Sequence, residues 1–191
     1  MELERFTRIA EAGDTLLLAR LVNLAGEGLP LHIWSTMAAP DQDPWEVGRE
    51  RQAEKMQEGQ IYVVDFGEGP VASLTGYAIG PTPEPIGAEL PALFHPLQEL
   101  ENLALNSWYV NVLACFPETQ GRGIGTHLLT LAEKIAAERG ISRMSVIVSD
   151  DNHGARRLYE RVGYAEKARR RCVSDGWQTE IQNWVLLTKE L

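Results

Sequence analysis

Residues Pro117–Leu129 read PETQGRGIGTHLL, which places Gly121, Gly123 and Gly125 within five positions just before an amphipathic helix. Glycine is unfavourable in helices and weakens strands, so this cluster indicates backbone that must approach another group closely. A strand ending at Phe116, a turn and a new helix would present the free N–H groups of a helix N-terminus, which bind anions. The stretch therefore predicts a pyrophosphate site. The alternative is a tight turn with close helix packing.

The glycine spacing does not fit the two common nucleotide motifs. A P-loop needs GxxxxGK followed by Ser or Thr, and a dinucleotide fingerprint needs GxGxxG with an acidic strand end about 20 residues later. Here the glycines are spaced two and two, the lysine is missing, and no suitable acidic strand end follows. Both motifs are excluded as explanations of the cluster.

The hydrophobic pattern around this stretch predicts a mixed α/β fold. Helical spacing and capping residues predict helices from Thr15 through Leu24, at Pro30–Ala38 and Pro44–Gln57, from Gly123 to Gly140, and from Asn152 to Gly163. Strands are predicted at Phe6–Ala10, Ile61–Phe66, Val71–Ile79, Ser107–Phe116, Met144–Val148, Tyr164–Cys172 and Ile181–Leu187. The segment Pro81–Pro96 holds five of the ten prolines and is predicted to be a long irregular loop. We expect one domain over residues 1–191, with a mixed, mostly antiparallel twisted sheet flanked by helices.

Composition and charge narrow the classes of function. Hydrophobic residues make up 44% of the 191-residue chain and charged residues 24%, which excludes disordered and collagen-like classes. The net charge of -9 argues against a nucleic-acid partner. Residues 1–105 hold 17 acidic and 6 basic residues, whereas residues 153–171 hold seven basic and two acidic ones. The basic segment indicates either an anionic ligand or a solvated helix face with a basic strand end.

No apolar run approaches the ~18 residues of a membrane helix, and the N-terminal sequence lacks a signal-peptide core, so we expect a cytoplasmic protein without a membrane partner. Cys115 and Cys172 lack metal-ligand spacing and are predicted to be buried free thiols, with no metal. Surface or capping positions are expected for His32, His127 and His153.

The run LACFPETQGRGIGT, residues 113–126, resembles the acetyl-CoA motif of GNAT-type N-acetyltransferases: Gln or Arg, two residues, Gly, one residue, and Gly or Ala. Those places are filled by Gln120, Gly123 and Gly125. A second family element lies at the expected distance downstream, where Asn152 is followed seven residues later by Tyr159 and then by a Gly-Tyr pair. The similarity is close over residues 108–164 and loose over the whole chain. It implies the GNAT-type acyl-CoA N-acyltransferase fold, with acetyl-CoA as co-substrate.

The resemblance also implies a cofactor-binding set. Strand residues Leu113, Ala114 and Cys115 would pair with the pantetheine arm of acetyl-CoA. The residues implied around the pyrophosphate are Gln120, Gly121, Arg122, Gly123, Ile124, Gly125 and Thr126. Asn152 would bond the pantetheine, and Tyr159, about two helical turns later, would lie on the same helix face and point its hydroxyl at the sulfur.

Acetyl transfer from a thioester to an amine has three catalytic requirements. The amine must lose a proton, the oxyanion needs a donor, and the leaving thiolate needs a proton. Tyr159 suits the last step as general acid, and backbone N–H groups near Ala114 and Cys115 suit the oxyanion. The alternative for Tyr159 is a packing role. No base is visible beside Cys115, so a covalent acyl-cysteine is not expected.

The general base is less evident, because residues 104–117 contain no Asp, Glu or His. Some relatives place an acidic base on this central strand. Glu101 is the first choice because it precedes the strand, although a lone loop carboxylate is often merely solvated. The other candidates are His95 and Glu99, placed with Glu101 in the proline loop, and Asp150 acting through water.

The expected function is therefore an N-acetyltransferase that moves the acetyl group from acetyl-CoA to an amine by direct attack in a ternary complex. Two alternatives stay open: a non-catalytic CoA-binding sensor or interaction module, and an acyltransferase that uses a longer acyl-CoA. The acidic N-terminal half favours a small cationic molecule or a peptide amine as acceptor. The resemblance leaves a homodimer open, since members of the family often dimerise, with Trp108-Tyr109 or the proline loop as the candidate contact.

Overall fold

The computed structural model describes residues 2–191, which form six α-helices and seven strands. The helices are α1 (Thr15–Ala25), α2 (Leu29–Met37), α3 (Pro44–Glu58), α4 (His95–Glu101), α5 (Ile124–Glu138) and α6 (His153–Arg161). The strands are β1 (Thr7–Ile9), β2 (Tyr62–Asp65), β3 (Pro70–Ala78), β4 (Trp108–Cys115), β5 (Arg143–Ser149), β6 (Ala165–Arg171) and β7 (Asn183–Glu190). The predicted mixed α/β fold is confirmed: the strands form a mostly antiparallel sheet in the order β1-β2-β3-β4-β5-β7-β6, flanked by helices.

The chain forms two compact units, and the first comprises the residues up to Thr75 together with Val112–Leu129. In it, β1 pairs with β2 and β2 pairs with β3, both antiparallel. Helix α3 packs against α1 and α2. Its Gly48 allows this close approach, since a Cβ there would come within 2.6 Å of the Trp34 ring.

Arg8, on β1, joins three parts of the first unit. Its guanidinium lies 2.6 Å from a carboxylate oxygen of Asp14 and 2.6 Å from one of Asp65. The other oxygen of Asp65 accepts from the amides of Gly67 and Gly69, at 2.7 and 3.0 Å, and so closes the turn between β2 and β3. Hydrogen bonds from Arg8 hold the pKa values of both carboxyl groups below their usual range.

The second unit comprises Gly76–Asn111 and Thr130–Leu191. Strand β5 pairs in parallel with β4, through Trp108↔Met144 to Val110↔Val146, and antiparallel with β7, which in turn pairs with β6. The buried hydroxyls of Ser107 and Ser145 lie 2.6 Å apart across the β4–β5 pair. Helix α4 packs against β6 and β7, with Leu100 fully buried.

The segment Pro81–Pro96 is only partly the irregular loop that its prolines predict. A 3-10 turn at Ala92–Phe94 leads directly into α4. The prediction was wrong at this end because Pro96 stands in the first turn of α4, where a missing N–H removes no helical hydrogen bond. The helix, not a loop, therefore contains His95, Glu99 and Glu101.

Two further expectations need correction. Trp108 and Tyr109 are 3% and 6% exposed, so they are core residues of the chain and cannot form the suggested subunit contact. Cys115 and Cys172 are free thiols, as predicted, but each is only half-buried. Among residues 2–191 we find no helix that combines the length and the apolar character needed to cross a bilayer.

Three of the seven basic residues in segment 153–171 form ion pairs. Glu166 accepts from Arg156 at 3.2 Å and from Arg169 at 2.7 Å, and Glu99 on α4 accepts from Arg170 at 2.5 Å. These ion pairs tie α6 and α4 to β6. These three arginines therefore have a structural role in the second unit.

Candidate functional site

The glycine turn of the first unit, residues 120–125, has the backbone that phosphate binding needs. Gly121 and Gly123 have φ values of +74° and +80°, a region that favours glycine. A Cβ placed at either residue would have no described atom within 4 Å, so close helix packing does not explain these two glycines. Both are exposed and immediately precede the 15-residue helix α5. Helix N-termini of this kind present N–H donors and a positive dipole end to anions.

Hydrogen bonds hold the turn to the end of β4. The amide of Phe116 donates to Val71 O on β3 over 2.9 Å, which fixes where the strand ends. The Gln120 side chain donates from Nε2 to Cys115 O over 3.2 Å. The structure thus brings predicted turn residue Gln120 onto predicted strand residue Cys115. The thiol of Cys115 lies 3.1 Å from the Thr119 hydroxyl, and burial raises its pKa, which agrees with a thiol that is not a nucleophile.

The first turn of α5 has a second anchor that the sequence did not reveal. The His127 amide donates to Gly123 O over 3.0 Å, and its ring nitrogen Nε2 lies 2.8 Å from the Thr7 hydroxyl. His127 is half-buried. It therefore belongs to the support of the glycine turn and is not the surface or capping residue that we expected.

In the second unit, Asn152 and Tyr159 occupy one helix. Asn152 is the N-cap of α6, and its Oδ1 accepts from the Ala155 amide over 3.0 Å, as the sequence predicts. Tyr159, near the other end of α6, is 4% exposed and packs against the Tyr164 ring at 5.5 Å between centroids. Burial raises the pKa of Tyr159, so its hydroxyl keeps its proton at neutral pH. A proton donor to a thiolate must have this property.

Glu101, the last residue of α4, lies in a group of tyrosines. Tyr77 donates a hydrogen bond from its hydroxyl to Glu101 Oε2 over 2.9 Å. The Tyr77 and Tyr109 rings meet edge to face, 5.3 Å between centroids. Burial raises the pKa of Tyr109, and electrostatic interactions with Glu101, Tyr77 and Tyr159 raise it further. Both predicted catalytic residues, Glu101 and Tyr159, therefore interact electrostatically with Tyr109. We call Tyr77, Glu101, Tyr109 and Tyr159 the tyrosine–glutamate cluster.

The environment of Glu101 suits a base better than those of its rivals. Burial raises the pKa of Glu101, with the Tyr77 hydrogen bond opposing the shift. Glu99 is in an ion pair with Arg170, and His95 donates from Nε2 to Leu90 O. Asp150 accepts from the Asn183 side chain at 2.8 Å; burial opposes the shift, but hydrogen bonds hold its pKa below the usual range. The pKa of Glu101 is thus raised whereas that of Asp150 is lowered, and a raised pKa favours Glu101 as the base.

Tyr77 and Tyr109 were missed because their position depends on strand register. Ile79 N donates to Ser107 O over 2.8 Å, which places Tyr77 opposite Tyr109 in the antiparallel β3–β4 pair. Both tyrosines were visible inside predicted strands. The sequence did not predict the register of these strands or the helix that carries Glu101.

Comparisons with known proteins identify the family and the fold. A model of the acetyltransferase (GNAT) family matches residues 30–164. The chain is similar to an uncharacterized N-acetyltransferase of Methanocaldococcus jannaschii, with 39% identity over 61 residues that cover 32% of this chain; it spans only 25% of that relative's length.

Two solved structures share the fold. A GNAT family acetyltransferase of Elizabethkingia anophelis with acetyl-CoA bound has 16% identity and a TM-score of 0.60, with 97% of each chain covered. A ribosomal-protein-alanine N-acetyltransferase of Brucella melitensis has 18% identity and a TM-score of 0.62, with 97% of this chain and 99% of that chain covered. Since the family model matches well over half of its residues, the chain belongs to the acetyltransferase (GNAT) family.

Proposed function

We propose that the protein is an acetyl-CoA-dependent N-acetyltransferase that transfers the acetyl group to an amine by direct attack in a ternary complex. The observation that carries the proposal is the glycine turn, where Gly121 and Gly123 combine positive φ with open space at the N-terminus of α5. Family membership supports acetyl transfer, and the acetyl-CoA in the Elizabethkingia structure supports this donor.

The proposal assigns donor binding to two sets of residues. The turn residues Gln120–Thr126 would hold the pyrophosphate, and backbone groups of Leu113–Cys115 would pair with the pantetheine arm. Asn152 would bond the same arm. Acetyl-CoA supplies the thioester whose acetyl group is transferred.

The proposal assigns the two proton transfers to the tyrosine–glutamate cluster. Glu101 takes the proton that the attacking amine loses, and its partial burial raises its proton affinity for that task. Tyr159 gives a proton to the departing thiolate, and its raised pKa keeps it protonated until then.

Donor binding is tested with two matched glycine variants, Gly123→Ala and Gly140→Ala. Gly140 also has positive φ (+70°) and no described atom within 4 Å of a Cβ, but it lies beyond the other end of α5. Both variants carry similar backbone strain. Isothermal titration calorimetry should show affinity for acetyl-CoA falling roughly tenfold or more in Gly123→Ala only. Equal affinities in the two variants would contradict the phosphate role of the turn.

Catalysis is tested with Tyr159→Phe against Tyr164→Phe, two buried tyrosines in ring contact. Tyr159→Phe should lower kcat about 100-fold while acetyl-CoA still binds, and Tyr164→Phe should leave kcat near that of the wild type. The assay uses acetyl-CoA with a panel of amines and repeats it with longer acyl-CoAs. Binding without turnover of any amine would favour the non-catalytic module, and a preference for a longer thioester would favour the larger-acyl alternative.

For the acceptor, we propose a small cationic molecule or a peptide amine. The acidic N-terminal half supports a cationic acceptor, and the name of the Brucella protein, a ribosomal-protein-alanine N-acetyltransferase, illustrates a protein acceptor within this fold. The single domain over residues 1–191, the cytoplasmic location and the homodimer stay predictions of the sequence.

A further inference from the structure

Tyr77 and Glu101 come from different elements and meet through a single hydrogen bond. Tyr77 lies on β3 and Glu101 ends α4, and the tyrosine hydroxyl donates to Oε2 over 2.9 Å. No motif of the sequence contains Tyr77. The bond occupies one of the two carboxylate oxygens and leaves Oε1 as the acceptor on the same group.

We propose that Tyr77 is a positioning residue that holds the Glu101 carboxylate in one orientation, so that Oε1 receives the proton of the acceptor amine; the inference rests on the proposed function. A glutamate at the end of a helix has three rotatable side-chain bonds and samples many orientations. A hydrogen bond from a fixed donor selects one of them.

The donor itself is fixed. The Tyr77 ring contacts the Tyr109 ring edge to face at 5.3 Å, and Tyr109 is buried. The adjacent backbone bond from Ile79 N to Ser107 O holds β3 against β4 at this point. Tyr77 is nevertheless 42% exposed, so solvent reaches the residue. The cluster therefore packs against the buried Tyr109 on one side and reaches solvent at Tyr77 on the other.

Apart from the exposed Arg171, each charged side chain of β6 and β7 bonds to a group other than Glu101. On β6, Lys167 donates to Leu103 O and Arg170 pairs with Glu99. On β7, Lys189 pairs with Glu133. The groups that interact with Glu101 are thus tyrosines. Tyr77 donates a hydrogen bond to it, and Tyr109 interacts electrostatically with both Glu101 and Tyr159. Since the Tyr77 bond lowers the pKa of Glu101 against the effect of burial, its loss raises that pKa.

The test compares Tyr77→Phe with Tyr62→Phe. Tyr62 on β2 donates to Gln60 Oε1 over 2.6 Å, so the control also loses one tyrosine hydrogen bond. The pKa of Glu101 is measured by carbon NMR of the labelled carboxyl group in the full chain, with Glu101→Gln to assign the signal. The pH dependence of kcat/KM is measured with acetyl-CoA and the best amine of the panel.

We expect Tyr77→Phe to raise the Glu101 pKa by about one unit and to move the acidic limb of the rate profile by the same amount, roughly a tenfold loss of rate below that limb. At pH values above the acidic limb, kcat/KM of Tyr77→Phe should fall less. Tyr62→Phe should change neither quantity.

The outcomes separate this inference from the proposed function. If the NMR pKa of Glu101 is the same in Tyr77→Phe and wild type, Tyr77 does not position the carboxylate, even where Glu101→Gln abolishes the acidic limb. If Glu101→Gln leaves the profile unchanged, Glu101 is not the base and the role of Tyr77 is overturned with it, while turnover by the wild type still supports N-acetyl transfer. Absence of turnover with every amine overturns the proposed function itself and, with it, the role of Tyr77.

Discussion

His127 donates a hydrogen bond from Nε2 to the hydroxyl oxygen of Thr7, over 2.8 Å and across 120 positions of sequence. The direction follows from the Thr7 hydroxyl, whose single proton is already donated to Leu3 O at 2.9 Å. His127 therefore carries its proton on Nε2 in the neutral form. Because its amide also holds Gly123 O, one residue links the N-terminal segment to the glycine turn.

Thr7→Val should lower the free energy of unfolding by about 1–2 kcal/mol, because it leaves the His127 donor and the Leu3 carbonyl without their partner. Thr7→Ser keeps the hydroxyl and is the matched control, with an expected loss well under that of the valine variant. Urea denaturation of the full chain measures both. A valine variant as stable as the serine variant would show that the bond contributes nothing to stability.

His127 should make stability depend on pH. Burial lowers the pKa of His127 below the ordinary value of about 6.5, so the folded chain binds this proton less readily than the unfolded chain does. The stability that the neutral His127 contributes is fully present above its pKa in the unfolded chain. It is lost as the pH falls towards its pKa in the folded chain. Between pH 7.5 and 5.5 the wild type should lose more unfolding free energy than His127→Gln, which keeps a donor but does not titrate. Parallel losses in both proteins would exclude His127 as the source.

Arg8→Met should lower the free energy of unfolding by about 2 kcal/mol. It leaves the carboxylates of Asp14 and Asp65, which are 10% and 14% exposed, without their cation. Both carboxyl pKa values are lowered by Arg8, so this stabilisation is present above the unfolded value near ~3.9 and is lost at lower pH. The wild type and the variant should thus converge in acid. Arg51→Met, which removes an exposed pair with Glu54, should cost under ~0.5 kcal/mol.

Gly76→Ala should destabilise the protein by about 3 kcal/mol. A Cβ at Gly76 would lie 2.1 Å from the Trp108 ring and 2.5 Å from Tyr109 O, so either the Trp108 ring or strand β4 must move. Gly80→Ala is the control, because a Cβ there meets no described atom within 4 Å. Thermal unfolding should separate the two variants, and equal melting temperatures would refute the steric argument.

Turnover of a polyamine should fall more steeply with salt than turnover of a neutral amine. The acidic N-terminal half would attract a cationic acceptor, and added salt screens that attraction. The measurement is kcat/KM for both acceptors from 20 to 500 mM NaCl at fixed acetyl-CoA. Equal salt slopes would count against a cationic acceptor.

Local features of this protein followed from its sequence. The glycine turn, the start of α5 and the Asn152 cap depend on conformational preferences within a few residues, and all three lie where the pattern predicted. The helix α4 was missed because prolines usually break helices, and the composition of Pro81–Pro96 does not show that its last proline stands in a first helical turn.

The sequence by itself determined the family, the order of the elements other than α4, and the glycine turn before α5, since each is recorded in short runs of neighbouring residues. Tertiary structure decided which side chains meet: Tyr77 with Glu101, 24 positions apart, and Thr7 with His127. Such pairs depend on strand register and on the packing of distant elements, and both are set by the collective burial of the core rather than by any local pattern.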